Sequence, residues 1–200
     1  MLPLELKELL DLSYTKMIQE PKNILPPFYR KKIYDFILNN IKPAAYYWLS
    51  IITVEYLLPL WESKWPNNAL PKQLLDIATQ TIVGNISREV VKEKFENGWK
   101  EKEKLGTDNA EMGKEFYVFE GAVEALHDVL GKAPFGGVEI KEFDTDENDL
   151  DYTCEDTASS AMVTLAGETG DRNFSTEKSK EFWEWWLTEA VSKAWEKALP

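Results

Sequence analysis

The sequence predicts a mainly α protein: a single-domain helical bundle of about seven to eight helices spanning residues 1–200, with a small irregular or β-containing acidic excursion at 132–152. Three observations predict it. Apolar residues recur with helical spacing along nearly the whole chain. Hydrophobic content of 44% and aromatic content of 12% supply a sizeable core for 200 residues. Prolines, and the glycines at 84 and 131, fall where the periodic stretches start and stop.

Each element follows from local chemistry. Leu4 to Gln19 forms a first helix, closed before Pro21, and "NILPPFYRK" is a proline-set turn. Phe28 to Asn40 forms a second, and Pro43 opens a third whose run is kinked or ended by Pro59, which lacks a backbone donor. Trp61 and Trp65 share a face at i, i+4. Pro71 opens the next helix, and Gly84-Asn85 suits a left-handed cap. Ser87 begins a highly charged helix with the stripe Val91, Phe95 and Trp99, ended by "LGTDN". Ala110 to Leu130 carries Phe116, Phe119, Val123, Leu126 and Leu130 on one face. After Gly131 the periodicity stops, and one short alternating piece (Val138, Ile140) admits a strand. Thr157 to Ala166 is a short helix, and Ser175 caps a last helix reaching Ala198, with Trp183, Leu187, Ala190, Ala194 and Ala198 as its apolar stripe.

Composition excludes several classes of function. A formal net charge of −12 disfavours direct binding to nucleic acid or anionic membrane and favours basic protein partners. Cys154 stands alone, which excludes an intrachain disulfide and a thiolate zinc cluster. The start "MLPLELKELL" carries acids inside its apolar run, unlike a signal peptide. Pro43 to Val54 falls short of the ~20 apolar residues that cross a bilayer. A cytoplasmic protein is expected.

The motifs that carry chemistry are few. "DTDENDLDYTCE" places Asp144, Asp146, Asn148 and Glu155 at positions one, three, five and twelve of a calcium loop, the metal candidates in this chain. Asp149 occupies the position where glycine normally permits the sharp turn, so a solvated acidic loop is the plainer reading. From Glu139 to Asp156 there are nine acids against one base, so this run holds eight of the twelve net negative charges. Asp144, Asp146, Glu147, Asp149 and Asp151 are therefore candidates for steering a basic partner. Glu124 and His127, with Glu120 one turn before, form a Glu-x-x-His pair, but one histidine cannot build the paired site of a di-iron bundle. A hydrogen-bonded histidine at the core edge is expected instead. No nucleophile context or phosphate loop appears, so neither catalytic residues nor a cofactor is expected. Trp185 falls on the polar face of the last helix; it is either covered by a neighbouring element or an interface anchor. Glu62, beside Trp61, is not explained by packing.

The segment "LLPLWESKWPNN", with Leu58, Pro59, Trp61, Glu62 and Pro66, followed by a proline-started helix and a charged helix, resembles the fifth-numbered family of immunity proteins of bacterial polymorphic toxin systems. "EFWEWWLTEAVSKAW", Glu181 to Trp195, resembles that family's C-terminal signature. The resemblance covers Ile51 to Leu130 and the last helix. It implies an all-helical protein that binds and blocks a cognate toxin and carries no catalytic residues. On that reading Trp61, Glu62, Trp65, Trp185 and the acidic run are the partner-binding candidates. A calcium-responsive module using residues 144–155 and a helical enzyme of unknown reaction using carboxylates and tyrosines are the alternatives, and a polar pocket converging on Glu120, Glu124 and His127 would favour the second.

Overall fold

The computed structural model describes residues 1–40, 43–108, 113–141 and 156–199. The order is α1 (Leu4–Gln19), α2 (Pro27–Asn40), α3 (Ala44–Glu55), α4 (Leu58–Lys64), α5 (Leu70–Ile82), α6 (Arg88–Asp108), a 3-10 turn (Gly113–Glu115), α7 (Phe116–Val129), a 3-10 turn (Pro134–Gly137), α8 (Thr157–Ala166), α9 (Thr176–Trp185), a π-turn (Trp186–Ala190) and α10 (Val191–Lys197). There is no strand among the described residues, and the architecture is a helical bundle.

Two helices form the centre. α3 is mostly apolar and buried, with Ala45, Leu49, Ile51 and Val54 in the core. α7 packs against α3, α5, α6 and α8. The first contact is close because Gly121 stands where a Cβ would lie 3.1 Å from Val54. Gly98 allows a similar approach of α6 to α7, with Val123 3.3 Å from where its Cβ would be. α6 lies on the outside, and Val91 is buried while most of its charged face meets solvent. α10 runs back along α3.

The helix starts follow the chemistry read from the chain. Pro59 and Pro71 stand in the first turns of α4 and α5. The Ser175 hydroxyl accepts from the Lys178 amide at the start of α9. Asp156 and Ser159 form a reciprocal capping box on α8.

Two expectations need correction. The helix expected from Ala110 begins at Phe116, because Gly113, at φ +63°, turns the chain ahead of it. The excursion expected at 132–152 is exposed in part where it begins, but it also sends side chains into the core. Pro134, Phe135 and Ile140 are buried, and Phe135, 1% exposed, plugs the core beside Tyr34. Its irregular form is the one observed through 141. Phe135 adopts φ 53°, a left-handed conformation held by the packing of its ring. Residues 142–152 lie outside the described residues.

Candidate partner interface

The tryptophan corner is mostly interior. Trp61 is 1% exposed, its Nε1 donates to the Asn68 carbonyl at 2.6 Å, and its ring meets Trp65 and Phe119. It closes the α4–α5 turn and offers a partner no surface. Trp65 is half-buried beneath the Lys64 ammonium, which also pairs with Glu115 at 2.8 Å. Glu62 is exposed.

The acidic and metal candidates Asp144, Asp146, Glu147, Asn148, Asp149, Asp151 and Glu155 lie outside the described residues. Among the described residues no group of three or more His, Cys, Asp or Glu side chains is placed to hold a metal ion. Both ends of that stretch are anchored in the core. Ile140 is buried at one end, and at the other Asp156 pairs with the buried Arg30 at 2.8 Å.

Glu120, Glu124 and His127 do not form one site. Glu120 is paired with Lys102 on α6. Glu124 accepts from Lys132 at 2.6 Å. Burial pushes the Glu124 carboxyl up, but the neighbouring His127 and Lys132 override it and bring it down to about 2. At 3.8 Å the His127 Nδ1 is too far for a formed hydrogen bond, so Lys132 is the closer partner. The His127 ring stacks on Phe95 at 4.5 Å between centroids and lines an open cleft with Arg88, Lys92 and Lys132. Neither Glu120 nor Glu124 lines that cleft.

The last helix presents a different surface. Trp185 is half-buried, and its ring stacks on Tyr56 at 3.9 Å and 19°. Tyr56, at the C-terminal end of α3, is 43% exposed and carries the other face of the stack to solvent. Phe182 sits behind both rings, with centroids 6.4 Å from Tyr56 and 5.9 Å from Trp185. Glu181, one turn before Trp185, is an exposed carboxylate, whereas the Glu55 carboxyl, beside Tyr56 in sequence, is close to Lys197 and Asp76. Burial pushes the Glu55 carboxyl up, opposed by Lys197 and aided by Asp76. Next to Trp185, Glu184 turns towards α1 and accepts the Tyr14 hydroxyl at 2.7 Å.

Trp185 was legible because it breaks the polar face of its helix. Tyr56, which completes the stack, was not. Its only sequence signal is an aromatic residue next to a helix end, which many core residues share.

A family model described as Immunity protein Imm5 matches residues 28–193. No curated protein matches the chain.

Proposed function

The chain belongs to the Imm5 family of immunity proteins, and from that premise we propose that it neutralises a partner toxin by occlusion, binding without chemistry of its own. The observation that carries the interface is the Tyr56–Trp185 stack. A tyrosine and a tryptophan already in contact offer a large, rigid, partly apolar anchor, and little side-chain freedom remains to be lost on binding. The exposed Glu181 one turn before Trp185 and a net charge of −12 suit a toxin with a basic face. Glu62 and the half-buried Trp65 form a second, smaller contact on this reading. The protein acts in the cytoplasm of the toxin-producing cell, where an unblocked toxin would be lethal.

Co-expression tests the reading. A cognate toxin domain should arrest growth alone and be tolerated with the wild-type protein. Tyr56→Ala and Trp185→Ala should each lose protection while keeping the wild-type circular dichroism spectrum. A wild-type chain that neither protects nor binds that toxin in calorimetry overturns the proposal.

A further inference from the structure

Among the described residues Tyr56 is the most exposed aromatic residue, at 43%. Trp185 covers one face of its ring, nearly parallel at 3.9 Å and 19°. The exposed surface therefore lies on the opposite face and the rim. An aromatic face carries the negative part of the ring's quadrupole and attracts a cation within about 6 Å of its centroid. Resting on the toxin-binding reading, we propose that the outer face of Tyr56 takes a cationic side chain of the partner, an arginine or a lysine.

Elsewhere the chain covers half-buried rings with its own lysines. Lys32 lies over Phe28 at 4.3 Å, Lys102 over Trp99 at 4.4 Å and Lys64 over Trp65 at 4.8 Å. Each of these lysines stands within four residues of its ring, so the cation comes from the same helix or its end. Among the described residues no cation lies over either ring of the Tyr56–Trp185 stack. The local sequence supplies none. Four residues either side of Tyr56 stand Ile52 and Leu60, and four either side of Trp185 stand Glu181 and Glu189. The stack is thus an open ring face with acids where a covering lysine would be.

The charges nearby leave room for one more cation. Glu181 is exposed and, among the described residues, in no ion pair. Lys180 is held 3.7 Å from Glu184. Lys178 stands about 10 Å along the helix axis from Trp185, against about 6 Å for Glu181. Glu189 is different, because Lys193 already pairs with it at 2.8 Å. Lys197, whose charge reaches Glu55, lies over the Trp48 ring at 4.3 Å, and Asp76 faces the same carboxyl. That cluster is therefore not positive, and Glu181 adds an unspent negative charge beside the ring.

The test is a titration of the isotopically labelled full chain with N-acetylarginine amide and N-acetyllysine amide, followed by NMR. Shifts should concentrate at the Tyr56 and Leu57 amides and the Trp185 indole N–H, and the tighter of the two amides names the cation. N-acetylcitrulline amide has the shape of the arginine probe without its charge, and should bind about two- to fivefold more weakly. Tyr56→Leu keeps apolar area but removes the ring, and should bring the arginine amide level with the citrulline amide. Tyr56→Phe should restore the difference. Glu181→Gln, a change at an exposed site, should weaken both cations and leave the citrulline amide unchanged. The proposal is overturned by no shift at the stack, by equal binding of the arginine and citrulline amides, or by a charge preference that survives Tyr56→Leu. In the co-expression assay Tyr56→Phe should protect better than Tyr56→Leu. Full protection by Tyr56→Leu makes the ring an apolar anchor and sinks the cation site alone. Failure of the wild-type chain to protect sinks the toxin-binding reading and leaves the titration to decide the site.

Discussion

Arg30 and Asp128 are charged residues inside the core, and each is tolerated for a stated reason. The Arg30 guanidinium donates to Asp156 and to the Leu25 carbonyl, and lies 5.4 Å from the Phe135 ring and 5.3 Å from the Trp183 ring. One ion pair therefore ties α2, the Phe135 turn, the cap of α8 and α9 together. Asp128 accepts from Ser50 at 2.6 Å and from Tyr46 at 3.0 Å. Burial pushes its carboxyl up to about 6, against these two donors. The folded value lies above the ordinary 3.8, so the folded state binds the proton more tightly. Stability is highest below that ordinary value, falls as pH rises towards about 6, and is flat beyond. Glu124 runs the other way, and its contribution is lost only as pH falls from 4.5 towards about 2. Urea unfolding should therefore give roughly 1 kcal/mol more stability at pH 5 than at pH 7. Asp128→Asn should remove that difference, and an unchanged difference would count against Asp128 as its source. Neither residue's role was visible in the chain, because nothing local marks which of its three arginines or eleven aspartates is buried.

At the scale of the element, the last helix holds the clearest signal that a 100° projection missed. Its buried residues come in pairs, Phe182/Trp183, Trp186/Leu187, Ala190/Val191 and Ala194/Trp195, repeating every four residues. On a regular α-helix such a repeat spreads over about 220° of the surface, too wide for one packed face. The π-turn takes up one residue and narrows the spread to about 160°. Trp186 can then reach inward and donate to Thr53 at 3.2 Å. Deleting Thr188 should change the repeat to four-three-four, which a plain α-helix accommodates. The variant should keep its helical circular dichroism and melt within a few degrees of the wild type. A large loss of Tm would show that the core needs the π-turn itself. The other elements were legible because their ends are local: Pro59, Pro71 and Ser175 act within one turn of themselves. The start of α7 was misplaced because the apolar stripe beginning at Phe116 was extended back through Gly113.

At the scale of the molecule, charge sets the rate of encounter. Lysine at Asp144, Asp146, Asp149 and Asp151 adds eight charges and moves the formal net charge from −12 to −4. If the acidic stretch steers the toxin, association should slow and depend less on salt, while dissociation changes little. Stopped-flow binding at low and high salt measures both, and an unchanged association rate would remove this stretch from the encounter. The two ends of the stretch reach the core. Ile140 and Asp156 are buried, and Asp156 meets Arg30 across 126 positions of sequence. No local pattern announces a contact of that span.

The sequence by itself determined the helical class, the order of the helices and most of their ends, because periodicity and capping act between residues a turn apart. Its tryptophan corner and C-terminal signature also pointed to the immunity family. Only the tertiary structure decided which aromatic rings are available to a partner. Trp61 and Trp185 look alike in the chain, yet the first is enclosed by α7 and its own turn, while the second stacks on Tyr56 at the surface. The physical reason is that burial depends on which distant helices close over a side chain, and that is settled by packing the whole bundle.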